Sequence, residues 1–225
     1  MPDIEKGIQE TEPDCRTGSE SNFILRRPTR QDLEALVVMA SDPHMVANLC
    51  TNWLPSTMRA ADLWLDALLQ ESNPDAFPFV ISDMKGRAMG AACIVLLETP
   101  GNAEISVLVE HKHWSQGIAT RSMQALADFA FSNPTKTHSK LDSMTARCRV
   151  SCGRSRRIVE KSGFQFCGSG MAHSHFQRGM IPIDRYRLDR STWHALRHWA
   201  GVSLLEATAN KNKEDPSDLD VKGAA

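Results

Sequence analysis

The segment Trp114-Ser115-Gln116-Gly117-Ile118-Ala119-Thr120 limits the possible folds of this chain more than any other stretch. A strand-like run at residues 105–109 precedes it, and apolar residues at helical spacing follow over residues 120–131. A glycine between strand and helix lets backbone N–H groups point outward unobstructed. Together with the helix N-terminus these groups form a seat for phosphate. The segment predicts an enzyme that uses a phosphate-bearing cofactor.

Composition narrows the class. Lys and Arg total 26 against 27 Asp and Glu, a formal net charge of −1. Near neutrality argues against a general binder of nucleic acid or membrane surfaces, while leaving room for local basic patches. A length of 225 residues, 41% of them hydrophobic, fits one domain with a full core, flanked by tails. The six cysteines, at positions 15, 50, 93, 148, 152 and 167, are irregularly spaced and form no C-x-x-C pair. They read as reduced thiols. The N-terminal stretch is polar and acidic with no signal-like apolar core, and no run is long enough to cross a bilayer. These features predict a cytoplasmic protein with no membrane partner.

Residues 1–21 and 205–225 lack periodicity and read as disordered tails around one domain at residues 22–204. Inside it, residues 23–26 read as a strand ended by Pro28. Leu33, Leu36, Val37 and Ala40 recur at helical spacing, and Pro43 follows that helix. Ser56 or Thr57 caps a second helix. Its apolar face reads as Ala60, Leu63, Trp64, Ala67 and Leu68, and Asn73-Pro74 ends it. Strands at residues 77–81, 88–97 and 104–109, with turns between them, make a β-meander. After the glycine turn comes a helix with Met123, Leu126, Ala127, Ala130 and Phe131 inward. Residues 141–150 form a strand and residues 155–162 a short helix. Gly163 fits the position after that helix, with Phe164 as the hydrophobic residue beyond it. Strands at residues 165–168 and 182–188 follow. Trp193, Leu196 and Ala200 suggest a last helix capped by Ser191. The order βααβββαβαβ(β)α predicts a mixed α/β sheet, in which a helical crossover joins the strand before Gly117 to the strand after Lys140.

Three motifs occur in sequence within this frame: Ala103-Glu104-Ile105-Ser106-Val107, then Trp114 to Ser122, then Cys152-Gly153-Arg154-Ser155-Arg156-Arg157-Ile158-Val159-Glu160-Lys161-Ser162-Gly163-Phe164. Asp184 to Trp193 supplies a matching terminal strand and tryptophan. The arrangement resembles the GNAT N-acetyltransferases. Locally it resembles the branch that contains the bacterial ribosomal-protein alanine acetyltransferases. The likeness runs over residues 23–199. Three positions depart from the branch pattern: Cys152 replaces an Asn, Arg121 a Glu, and Val107 an aromatic residue.

The resemblance implies a GNAT-like α/β (α+β) fold with a mixed, mainly antiparallel sheet, helices on both faces and a splayed central strand pair. It implies acetyl-CoA as co-substrate, lying in the splay, and no metal. Leu108 and Val109 match the strand positions whose free backbone groups pair with the pantetheine. The pyrophosphate would rest on the N–H groups of Gln116, Gly117, Ile118, Ala119 and Thr120, where a helix dipole adds roughly 0.3–1 kcal/mol. Cys152 and Arg157 complete the implied cofactor contacts. The implied acceptor is a primary amine, on a protein N-terminus or a small molecule such as a polyamine, amino acid or aminoglycoside. The protein is expected as a monomer or homodimer. A non-catalytic acyl-CoA-binding protein of the same fold is the competing expectation.

Acetyl transfer to an amine requires loss of the amine proton, a donor for the developing oxyanion, and a proton for the departing thiolate. Glu104 matches the position of the base. It reads equally as a structural carboxylate in an ion pair, and His111 and His113 are alternative bases. Ser155 matches the serine placed near the CoA sulfur and also reads as a helix cap. Backbone N–H groups near Val107 or Leu108 fit the oxyanion. Cys152 as a nucleophile lacks a His and carboxylate pair. The cluster Arg147, Arg149, Arg154, Arg156 and Arg157 reads as a CoA-phosphate contact, a solvated face or an RNA contact. The His111/His113 and His173/His175 pairs read as surface histidines rather than a metal site. The loops at residues 48–55 and 172–180 are expected to shape the acceptor pocket.

Overall fold

The computed structural model describes residues 22–50, 53–69, 75–132, 140–174 and 177–197. The expected tails, the Asn73-Pro74 helix end, His175, Phe176 and Ala200 lie outside them. The elements are β1 (Phe23–Arg26), α1 (Leu33–Ser41), α2 (Pro43–Val46), α3 (Met58–Leu69), β2 (Ala76–Asp83), β3 (Ala88–Leu96), β4 (Asn102–Val109), α4 (Ile118–Ser132), β5 (Ser143–Arg149), α5 (Gly153–Lys161), β6 (Gln165–Ser174) and β7 (Gly179–Asp189). Residues 190–197 turn helical.

The strands form one seven-stranded sheet in the order β1-β2-β3-β4-β5-β7-β6. Every neighbouring pair is antiparallel except β4 and β5, which α4 joins as a parallel crossover. The sheet is mixed and mainly antiparallel, as expected. Side chains alternate between its two faces. Phe79 and Ile81 pack in the larger core with Leu126 and Phe131 of α4. Val80 and Ala91 turn the other way, onto Leu36 and Met39 of α1. Helices therefore cover both faces.

Some local expectations are corrected. Pro43 does more than follow α1: it opens the four-residue α2, because its fixed φ suits a first helical position and the Asp42 carboxylate accepts from His44 N–H at 2.8 Å. In α3, Thr57 is the cap, with Ala60 N–H at 3.3 Å from its hydroxyl. The buried residues of α3 are Ala61 and Leu65, while Leu63 is 63% exposed. Strands β6 and β7 extend well beyond residues 165–168 and 182–188 as a long hairpin. At the end of α5, Gly163 (φ 90°) donates to Glu160 C=O and Phe164 to Val159 C=O, the expected left-handed stop with Phe164 buried.

The approach to α1 is held by Asp32. Its carboxylate accepts from both terminal nitrogens of Arg26 at 2.7 Å and from the backbone and hydroxyl of Thr29 at 2.8 Å. Burial opposes its ionisation, but these four bonds outweigh it and hold the carboxyl below its ordinary range.

Candidate active site

The site begins where β4 and β5 part. They pair over three rungs only, Asn102↔Ser143, Ala103↔Met144 and Glu104↔Thr145. The closed end is pinned by Ser143 Oγ on Asn102 Oδ1 at 2.5 Å and Thr145 Oγ1 on Ala103 C=O at 3.2 Å. β4 then continues to Val109 and β5 to Arg149 with no further rung, which leaves an open wedge. Glu110 N–H donates to Met89 C=O, and Leu97 N–H donates to Asn102 C=O. Antiparallel strands alternate the direction of their backbone groups, so the even residues of β4 face β3 and the odd ones face the wedge. Leu108 lines the cleft, yet its backbone groups belong to β3. Val107 and Val109 carry the groups turned to the wedge, which corrects the expected Leu108 contact.

The wedge opens into a cleft of about 600 Å³. At its mouth is the glycine turn. Ser115 (φ 63°) and Gly117 (φ 74°) both adopt left-handed backbone. A Cβ at Gly117 would meet only the Arg121 side chain, at 4.0 Å, so the open side of the turn faces the cleft. Arg121 N–H donates to Gly117 C=O at 3.0 Å, the first intrahelical bond of α4. The N–H groups of Ile118, Ala119 and Thr120 precede that bond and have no intrahelical acceptor. Gly117, Ile118, Ala119 and Thr120 all line the cleft, while the Gln116 side chain turns back toward Lys112 C=O at 3.5 Å. Arg157 and Lys161 of α5 add positive charge to the same wall.

Trp114 lines the cleft and opens the motif, but the sequence reading gave its side chain no role of its own. Its indole N–H donates to Val109 C=O at 2.6 Å, occupying one of the wedge-facing groups. The Arg154 guanidinium lies 4.5 Å from the ring centre, so Trp114 and Arg154 link the β4 side of the cleft to α5. The His111 ring meets the indole edge-on at 4.5 Å and stacks on His44 at 5.4 Å. A bulky aromatic just before the glycine was the available signal.

Glu104 occupies the last rung before the wedge opens. Arg147 grips it through Nε to Oε1 at 2.9 Å, Nη2 to Oε1 at 2.7 Å and Nη2 to Oε2 at 2.6 Å. The ion-pair reading of Glu104 is realised in the geometry. Arg147 also lines a side chamber of about 80 Å³ that shares Asn48, Leu49, Val107, Ala119, Ser155 and Ile158 with the main cleft. His113 lines the main cleft and lies 3.8 Å from the Glu110 carboxylate.

On α5, Cys152 holds the N-cap position and Ser155 is the third helical residue, which corrects the reading of Ser155 as the cap. Ser155 Oγ lies 3.1 Å from Cys152 Sγ, and both line the cleft. Burial pushes the neighbouring Cys50 thiol up to about 12 and the Cys148 thiol to about 11, so both stay protonated near neutrality. The lone tyrosine, Tyr186, is buried in the core and lines neither cavity. Among the described residues, no three His, Cys, Asp or Glu side chains converge as a metal site.

The arginine cluster divides by task. Arg147 holds Glu104, Arg154 covers Trp114, Arg156 pairs with Asp184 at 3.1 Å, and Arg157 lines the cleft. Arg149 reaches Ala47 C=O and, at 3.2 Å, Gln177 Oε1, which ties the residue just before the 48–55 loop to the 172–180 loop.

The two parallel strands part into a wedge that opens onto a helix N-terminus and a basic wall, an arrangement suited to a phosphate-bearing co-substrate. The family described as acetyltransferase (GNAT) domain matches residues 22–165. The chain belongs to the GNAT acetyltransferase family and is an acetyltransferase. Its structure is similar to the spermidine N-acetyltransferase of Vibrio cholerae in complex with CoA and spermine, with 15% identity, a TM-score of 0.64, and coverage of 77% of this chain and 99% of the other. It is also similar to an aminoglycoside acetyltransferase in complex with coenzyme A, with 20% identity, a TM-score of 0.62, and coverage of 78% and 99%. A GNAT-family acetyltransferase from Bacillus anthracis matches at 16% identity and a TM-score of 0.62, over 77% of this chain and 98% of the other. Comparison with curated protein sequences gives no match. At these identities the structures establish the fold, and the ribosomal-protein branch rests on the three motifs alone.

Proposed function

We propose that this protein transfers the acetyl group of acetyl-CoA to a primary amine by direct attack in a ternary complex. The observation that carries the reading is the wedge between β4 and β5 opening onto the N–H groups of Ile118, Ala119 and Thr120, which have no acceptor among the described residues. Those donors suit a pyrophosphate, with Arg157 and Lys161 offsetting its charge. Val107 offers backbone groups to the pantetheine along the wedge, and Cys152 flanks its far wall. Similar structures hold CoA or acetyl-CoA, and their names give spermidine and aminoglycosides as acceptors, which supports a co-substrate and acceptor of these general kinds.

In the reaction, the neutral amine attacks the thioester carbon. The C–N bond forms, the C–S bond breaks, the amine proton leaves and the thiolate gains a proton. Holding both reactants in one cleft supplies much of the rate. Glu104, on the last rung beneath the thioester, accepts the amine proton through water, with Arg147 fixing its position. Ser155 donates to the departing thiolate. Cytoplasmic residence fits a consumer of acetyl-CoA.

The grip of Arg147 on Glu104 also suits a second reading, a non-catalytic acyl-CoA-binding protein of the same fold. Thiol release from acetyl-CoA, measured with a disulfide reagent across a panel of primary amines, decides between them. Amine-dependent release supports transfer. Acetyl-CoA binding without release for any amine contradicts it.

A further inference from the structure

The acceptor side of the wedge carries excess positive charge. Met144, Ala146 and Cys148 pack against α4, so Thr145, Arg147 and Arg149 turn to the opposite face, shared with Glu104. On neighbouring β7, Arg187 lies across from Thr145, and Arg185 lies across from Arg147. Two of these four arginines are neutralised, Arg147 by Glu104 and, at 2.7 Å, Arg187 by Asp189. Arg149 and Arg185 have no carboxylate in ion-pair range among the described residues. Arg185 crosses Gly170 of β6, away from Arg147, as two like charges directly opposite each other require.

Arg149 occupies the informative position. It ends β5, at the open end of the wedge, and bonds only neutral oxygens, Ala47 C=O and Gln177 Oε1. A guanidinium has five N–H donors, so two such bonds leave it able to take a further anion. Arg149 itself lines neither cavity and borders them through Ala47, which adjoins Asn48, a residue that lines both the cleft and the side chamber. No Asp or Glu among the described residues lines either cavity. Glu104 shares this face but is already paired with Arg147 and lines neither cavity, so a polycationic amine finds no unpaired carboxylate for its second charge here.

Resting on the transferase reading, we infer that the acceptor is a primary amine that itself carries a carboxylate or phosphate group, with the anion directed to Arg149. Spermidine and aminoglycosides belong to the opposite charge class.

The test uses acetyl-CoA-dependent thiol release with matched pairs: β-alanine against β-alaninamide, phosphoethanolamine against ethanolamine, the C-terminally amidated dipeptide Ala-Asp-NH2 against Ala-Asn-NH2, and spermidine as the polycation. At least one anionic member is expected to exceed its neutral partner tenfold or more in kcat/KM, and to exceed spermidine. The pairs themselves distinguish carboxylate from phosphate. Arg149→Gln should collapse that ratio toward one, while Arg149→Lys, which keeps the charge but loses the fork to Ala47 and Gln177, should retain it. A purely structural Arg149 would lower both members of each pair equally and leave the ratio unmoved. The inference is overturned if spermidine or the neutral amines are preferred, if the ratio survives Arg149→Gln, or if acetyl-CoA binds and no anionic amine turns over. Failure to bind acetyl-CoA at all would instead sink the transferase reading.

Discussion

Glu104 and Arg147 form a forked ion pair at the point where β4 and β5 separate, with contacts of 2.6, 2.7 and 2.9 Å. The pair closes the throat of the wedge and sets the only carboxylate on its last rung. Glu104→Gln is expected to lower kcat about 10²–10⁴-fold, the usual contribution of a positioned base. Arg147→Met should lower thermal stability as much as Glu104→Gln does. If Glu104 only braces the sheet, the two variants will lose stability together and keep kcat near wild type under conditions where both are folded.

Ser155 supplies the hydroxyl and Cys152 the thiol that line the cleft on α5, beside the cationic Arg154, Arg157 and Lys161, and Tyr186 is buried elsewhere. Ser155→Ala is expected to lower kcat by about 10²-fold, the scale for losing one aligned donor to a developing anion. Acetyl-CoA affinity should stay near wild type, because the donor acts on the leaving thiolate rather than on the ground state. Single-turnover kinetics beside a binding isotherm measure both.

Asp32 gives a pH-dependent stability. Its folded carboxyl is held below the ordinary range, chiefly by Arg26 and Thr29 against the cost of burial. Its contribution is therefore present above the unfolded value, near pH 4, and is lost as pH falls through the folded value. Asp32→Asn is expected to cost about 1.5–3 kcal/mol at pH 7 through bonds to a charged group. The gap between wild type and variant should narrow steadily in acid. Urea unfolding at several pH values checks this, and a gap independent of pH would refute it.

Alkylation should separate the cysteines. Cys167 is exposed and should react with iodoacetamide whether or not acetyl-CoA is present. Cys152 should react in the free protein and be protected by acetyl-CoA. Cys50, Cys93 and Cys148 are buried, and burial pushes their thiols up to about 12, about 12 and about 11, so they should resist. Peptide mass spectrometry reads out each site.

The strongest sequence signals were local in origin. The glycine turn and the Gly163-Phe164 stop need specific backbone conformations, and the chain declares them by residue type. The parallel crossover was legible because a helix of proper length separates two apolar strands. The face of α3 was misread because its alanines and leucines support two overlapping stripes, and only contact with α1 chose Ala61 and Leu65. The long β6–β7 hairpin was underestimated because Gly168, Gly170 and the histidines dilute its alternating pattern. The direction of the Leu108 backbone depends on register with β3, and the partner of Glu104 lies 43 residues away. Neither is written in any short window.

In this reading the turn from Ser115 to Thr120 receives the pyrophosphate of acetyl-CoA. Calorimetric titration of acetyl-CoA into wild type and Gly117→Glu tests it most directly, with circular dichroism to verify the fold of the variant. Wild type is expected to bind saturably and the variant not at all, because its side chain would place a carboxylate at the open donors. Equal affinity for the two folded proteins would contradict it.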